Sequence, residues 1–249
     1  MLADYLLLAL VGFAAQLVDG ALGMAFGLIS SSAMLAMGMP PAQASAIAHT
    51  AEIFTTASSA TSHVYHRNVD WRLVVRLGLA GVIGAVLGAW VLSNIDSSAA
   101  RPYIAVYLLI MGLLILAKAV RQIPPRDAPA VWAPPLGFAG GFLDASGGGG
   151  WGPIVTSTLI GSGHAPRTVV GSVNTTELFV ASAAAATFFV ELGLSPLYEL
   201  AALVSGGVLA APLGGWMVKR LRPRVLMTLV GLIIVTLSLF QLARAFKFM

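Results

Sequence analysis

Apolar runs separated by short polar turns organise this chain. Val74–Val91, Tyr103–Ala119, Val169–Val190 and Val225–Leu242 each hold at most one charged residue. They match the 17–25 residues a helix needs to cross a hydrocarbon core of roughly 30 Å. Shorter apolar segments precede them in each half: Tyr5–Val18 with Ala21–Met37, and Trp132–Leu143 with Trp151–Ser162. As helices, Tyr5–Val18 would be about 21 Å long and Trp132–Leu143 about 18 Å, at 1.5 Å per residue. Each runs into an acid followed by glycines, in "QLVDGALGMAFGL" and "GFLDASGGGGWGP". Glycine costs about 1 kcal/mol and proline about 3 in a helix interior. The pattern therefore predicts two re-entrant, broken helical hairpins with tips at Asp19-Gly20 and at Asp144 to Gly150.

Composition turns this pattern into a class. Of 249 residues, 58% are hydrophobic and only 10% charged, against about 25% charged in a soluble domain. The fold expected is all-α, a polytopic membrane protein in contact with the lipid bilayer. The net charge of +4 does not indicate nucleic acid, because the basic residues are scattered through short loops without interleaved aromatics. With no cysteine, thiolate metal sites and thiol chemistry are excluded. The first twenty residues lack a basic leader and a cleavage site and read as the first structural element. Trp71 and Trp132 read as interfacial anchors, and Pro212 as a kink in the ninth hydrophobic element.

The chain also matches itself at an offset of 125 residues. Gly12-Phe13-Ala14 aligns with Gly137-Phe138-Ala139, Asp19 with Asp144, Gly23 and Gly27 with Gly148 and Gly152, and Pro41 with Pro166. Thr50, Glu52 and Phe54 align with Thr175, Glu177 and Phe179. The reading is a duplication, with repeats over 1–121 and 134–249 and a proline-rich linker over 122–133. One hairpin and three transmembrane helices per repeat put eleven basic residues on one side: Arg67, Arg72, Arg76, Lys118, Arg121, Arg126, Arg167, Lys219, Arg220, Arg222 and Arg224. Arg101, Arg244 and Lys247 fall opposite. Letting the short pair cross once reduces the bias to eight against six, so the positive-inside rule favours inverted repeats with both termini non-cytoplasmic.

Non-helical backbone at membrane depth is tolerated only where protein buries it or it lines a cavity. Glycines there permit close approach to backbone amides at the start of a returning half-helix, where the dipole favours an anion. This predicts substrate contacts at Gly23 and Met24 of the first tip and at Ser146, Gly147, Gly148, Gly149 and Trp151 of the second. Close helix packing is the competing role for such glycines, and the one expected at Gly81, Gly84 and Gly88. Asp19 and Asp144 read as helix caps for the returning halves. Glu52 and Glu177 lie inside apolar spans, where ionisable groups are costly and functional. His49 and Asn174 precede them by three residues, Thr50 and Thr175 by two, so all four join the expected substrate site. His49, Glu52, Thr56, Ser59 and His63 form a polar stripe suited to a water-filled path. Proton coupling is assigned to Glu52, Glu177 and His49, since His titrates near neutrality; a polar lock between the repeats is the alternative.

"GFLDASGGGGWGPIVTSTL", "GSVNTTELF" and "HRNVDWRLVVRLGLAGVIGAVLGAW" resemble the sulfite exporter TauE/SafE family, also called TSUP. The likeness covers nearly the whole chain, and the glycine-rich segment is its most specific part. The first tip departs from that marker, with Met24 and Phe26 where the second has Gly149 and Trp151. What the resemblance implies is an inner-membrane secondary carrier, not an enzyme, for sulfite, sulfoacetate or another organosulfonate. No nucleotide-binding loop is present, and neither a cofactor nor a metal is implied. Two other readings stand beside it. One is a cation carrier using Asp19, Glu52, Asp144 and Glu177; the other is a membrane-embedded His/Glu metalloenzyme, for which H-E-x-x-H spacing is missing. No feature bears on oligomeric state.

Overall fold

The computed structural model describes residues 2–120, 132–162, 164–194, 196–218 and 223–247. Helices account for nearly all of them, and no strand occurs among the described residues. Helix α1 (Leu2–Leu22) and helix α2 (Phe26–Ala36) form the first broken pair. Helices α3 (Pro41–Tyr65), α4 (Trp71–Asn94) and α5 (Ser97–Val120) follow. The second half repeats the order with α6 (Ala133–Gly147), α7, α8 (Pro166–Leu192), α9 (Leu197–Val218) and α10 (Pro223–Lys247). Helix α7 is a π-helical turn, Gly152–Thr156, continued by an α-helical turn, Ser157–Gly161. The linker lies mostly outside the described residues, as do Arg121, Arg126, Lys219, Arg220 and Arg222 and the side chain of Pro212.

The molecule is apolar outside, and a set of polar side chains is buried within its apolar interior. Leu79, Ile83 and Trp90 of α4, Tyr103 and Ile110 of α5 and Phe179 of α8 are exposed, while Asp19, His49, Glu52, Asp144, Asn174 and Glu177 are buried. Five helical stretches among the described residues are long and apolar enough to cross a membrane: Leu2–Gly20, Trp71–Asn94, Ser97–Val120, Arg167–Leu192 and Met227–Arg244. This is an all-α, multi-pass membrane protein. Trp71 and Trp132 are exposed at helix starts.

The first hairpin differs in length from the expectation. Asp19 and Gly20 sit within α1, which runs on to Leu22 and reaches about 31 Å at 1.5 Å per residue. It is long enough to cross, because the break lies at Gly23–Ala25, beyond the acid. In the second half Asp144 is likewise inside α6, and the break is Gly148–Gly150.

The two halves exchange partners. Helix α1 packs along α9, and α6 packs along α4. Small residues bring these backbones together: a Cβ at Gly84 would stand 2.9 Å from the Phe142 nitrogen. Equivalent helices meet antiparallel. On α5 and α10, Gly112 faces Val235 while Gly231 faces Leu116. On α3 and α8, His49 meets the Phe188 ring while Ser59 bonds Asn174.

At the centre the two breaks pass backbone against backbone. A Cβ on Gly27 would lie 3.0 Å from the Gly149 Cα, and one on Gly152 would lie 2.7 Å from the Met24 Cα. Gly149 has φ +131, and a Cβ there would come within 2.5 Å of the Gly27 carbonyl carbon. Conformation and sterics both require glycine at this position. Gly38 has φ +96 with nothing within 4 Å of a Cβ, so it isolates the conformational part. Gly38→Ala should cost about 1 kcal/mol, and Gly149→Ala about 3 kcal/mol or more, since strain and overpacking add. Thermal unfolding of the purified variants checks this; equal losses would mean that the tips do not touch.

Candidate functional site

Each break closes on its own acid. The Asp144 carbonyl accepts the Gly148 and Gly149 amides, the latter at 2.8 Å. Its carboxylate reaches forward, and Oδ1 accepts the Trp151 amide at 2.8 Å. That amide opens α7, where the unpaired N–H groups of a helix start favour negative charge. Asp19 repeats the arrangement: its carbonyl accepts the Gly23 amide at 2.6 Å, and the Phe26 backbone hydrogen-bonds its carboxylate. A carboxylate of the protein thus occupies the anion-favouring end of each returning helix.

From here the halves diverge. Asp144 Oδ2 lies 3.1 Å from His49 Nε2, and His49 Nδ1 lies 2.8 Å from the Ser45 carbonyl. A carbonyl only accepts, so Nδ1 carries a hydrogen. The contact between Nε2 and Oδ2 needs a second hydrogen, on the ring or on the carboxyl. The pair therefore holds one proton more than a neutral ring beside a carboxylate. Ser45 Oγ ties the same place to α6 by donating to the Ala145 carbonyl at 2.8 Å. Asn174, the counterpart of His49, donates its amide to Ser59 Oγ at 2.9 Å, and its Oδ1 has no partner. Asp19 Oδ2, Glu52 Oε2 and Glu177 Oε2 are buried without partners as well. Glu52 also takes a backbone hydrogen bond from Gly27.

His49, Glu52 and Asp144 place ligand atoms within 4.8 Å of one another. Both imidazole nitrogens are engaged by protein groups, which leaves no ring lone pair for a metal in this arrangement.

The remaining sequence-derived candidates scatter. Trp151 is fully buried: its indole packs on Gly81 and Gly140 and donates to the Val173 carbonyl at 3.3 Å. It is a core plug between α4, α6 and α8. Gly147 packs on the Tyr107 ring, Gly148 on Ser31, and Met24 on Gly152. Ser146 and Thr175 hydroxyls return to the Phe142 and Gly171 carbonyls on their own helices, at 2.6 and 2.7 Å. The polar stripe of α3 faces α8 through Ser59, and the Thr56 hydroxyl returns to the Glu52 carbonyl. Thr50 borders a cavity of about 330 Å³, together with Ile53, Ser182, Phe189, Leu194 and Leu197.

Two residues hidden inside an apolar run hold the second break. Tyr107 donates to the Gly149 carbonyl at 2.9 Å, and Lys118 to the Pro153 carbonyl at 3.0 Å. The only sequence signal for either is a polar atom in an otherwise aliphatic helix.

A multi-pass helical protein whose two halves interlock around buried acids at paired helix breaks has the architecture of a secondary membrane transporter. The profile of the family described as sulfite exporter TauE/SafE matches residues 8–240. The chain belongs to that family of membrane transporters. It is 43% identical over 232 residues to the protein named Probable membrane transporter protein YtnM of Bacillus subtilis strain 168, covering 90% of this chain and 77% of the relative. No solved structure matches it.

The His49–Asp144 contact generates a stability prediction. His49→Leu leaves a buried carboxylate without its proton-bearing partner and should cost about 3–5 kcal/mol. Adding Asp144→Asn keeps an oxygen acceptor for the Trp151 amide while removing the charge, so the double variant should recover part of that loss. Denaturation of His49→Leu, Asp144→Asn and the double variant in detergent reads the coupling. Strict additivity would mean that the two side chains do not interact.

Proposed function

We propose that this transporter moves a small sulfur-containing anion, sulfite or an organosulfonate such as sulfoacetate, out across the cell inner membrane, with protons as coupling ion. The observation that carries this reading is the Asp144 carboxylate on the Trp151 amide. An oxyanion seeking the start of α7 competes with a resident anion of the same charge. Protonation of Asp144, or transfer of the shared proton from His49, weakens its hold on the amide and removes its repulsion. Proton uptake and anion entry are thereby linked at one helix terminus, and Asp19 stands in the same relation to α2 and the Phe26 amide. Glu52, within reach of both His49 and Asp144, supplies or takes the proton. The cavity ending at Thr50, beside His49, opens on the Leu194 side and provides the way out, with the Thr50 and Ser182 hydroxyls and an aliphatic wall suited to an organosulfonate.

The membrane orientation proposed is inverted, with repeats 1–121 and 134–249 related by an axis in the membrane plane. The antiparallel meeting of equivalent helices supports it. So does the grouping of charge: Arg167 bonds Asn68 at 2.6 Å, which brings it to the turn bearing Arg67 and Arg72. The opposite-side exceptions have local partners. Arg101 donates to the Gly38 carbonyl at 2.8 Å and Arg244 to the Ala36 carbonyl at 3.5 Å. Both complement the negative C-terminal end of α2. The termini then lie on the non-cytoplasmic side.

Two measurements test the proposal. Single cysteines at His66 and Leu194, introduced into a chain without its own, should label from opposite sides of sealed vesicles; labelling from one side refutes inversion. Radiolabelled sulfoacetate or sulfite uptake into proteoliposomes should rise with an imposed pH difference. Glu52→Gln should make that uptake insensitive to the gradient while ligand-induced stabilisation persists, and Glu177→Gln should act more weakly. A Glu52→Gln variant that answers the gradient like the parent removes Glu52 from the coupling.

A further inference from the structure

The offset of 125 residues pairs His49, Asp144 and Glu52 with Asn174, Asp19 and Glu177. In each set the middle acid comes from the opposite half. One set contains its own positive charge, the proton shared between His49 and Asp144. The other set has none: an asparagine stands where the histidine would be. What it has instead are oxygens. Asp19 Oδ2, Glu177 Oε2 and Asn174 Oδ1 are all buried without a partner, in side chains at most 5% exposed. Asn174 is held in this orientation by its bond to Ser59 at 2.9 Å, and its Oδ1 points at the first break, 3.5 Å from where a Cβ on Gly23 would be. Two buried carboxylates and a buried carbonyl with no donor among them are unfavourable unless a proton or a cation joins them. The break sits at the C-terminal end of α1, whose dipole adds further negative character.

We propose that Asp19, Asn174 and Glu177 form a binding site for a monovalent hard cation of the sodium class. Oxygen-only donors suit a hard ion, and the single charge follows from the mirror: the equivalent place in the other half carries one extra proton on the His49–Asp144 pair. The ion does for the first hairpin what the histidine proton does for the second. It holds Asp19 ionised on the Phe26 amide and cancels repulsion between Asp19 and Glu177. The two halves thereby answer to different ions. The site deepens the transport reading by naming a second coupling ion, but its binding is measurable without any anion.

The test uses the purified full-length protein at fixed ionic strength, with sodium chloride exchanged for choline chloride. Sodium should raise the thermal midpoint saturably, by about 3–5 °C near saturation for a chain of this size, and radioactive sodium should bind at one ion per chain. Asn174→Leu should lose both effects. Asn174→His should lose them too while melting in choline as the parent does in sodium, because the imidazolium replaces the ion. Identical midpoints in sodium and choline, or a sodium effect that survives in Asn174→His, overturn the proposal. A midpoint that follows pH alone would show that protons neutralise the cluster. Sulfonate-induced stabilisation in choline, scored separately, reports on the anion reading and is unaffected by failure of the cation site.

Discussion

Everything at the centre of this protein depends on two helix breaks passing each other without side chains between them. Gly27 lies against Gly149, and Gly152 lies against Met24, so the polypeptide backbones themselves make the contact. Backbone this deep in an apolar molecule must satisfy its polar groups internally. The nearest acids provide that: carbonyl and carboxylate of Asp19 and of Asp144 bond amides on the two sides of their breaks. Once those acids are buried, charge must be balanced near them. His49 on α3 meets that need at Asp144. The lipid-facing helices serve as the frame: α9 braces α1, α4 braces α6, and α5 reaches in with Tyr107 and Lys118.

The same geometry explains how an anion carrier tolerates carboxylates along its path. A helix start attracts negative charge, and here an acid of the protein already occupies it. In the transport we propose, a substrate anion does not add a charge to the site; it exchanges with one that protonation can remove. The two halves carry this out unequally, with a titratable histidine on one side and a neutral amide on the other. An exact duplicate would have two equivalent gates. Divergence at one position, His49 against Asn174, gives the two breaks different buried partners.

Much of this was legible in the sequence. The duplication, the paired acids and the broken hairpins come from a constant offset and from glycines flanked by acids. What escaped had physical reasons. Asp19 and Asp144 were read as boundaries, whereas each lies inside its helix and reaches over the break, a range that local propensity does not encode. The four glycines around Gly149 pointed to a ligand, but Tyr107, Ser31 and Gly27 fill the space beside them; those partners come from α5 and α2, far away in the chain. Trp151 was expected to touch the substrate, and its fit between Gly81 and Gly140 depends on the crossing of α4 and α6. Ser45 stands one helical turn before the polar stripe that begins at His49 and was not read as part of it, and Lys118 counted only as a basic residue in the topology.

The central claim is that proton and anion exchange at the same helix terminus, with Asp144 giving up the Trp151 amide as the substrate arrives. Calorimetric titration of the purified protein with a sulfonate, repeated at one pH in buffers of different ionisation enthalpy, counts the protons that move on binding. The account predicts net proton uptake accompanying each bound anion, lost in Asp144→Asn while anion binding remains measurable. A binding enthalpy that is the same in every buffer, with no proton taken up, would contradict it.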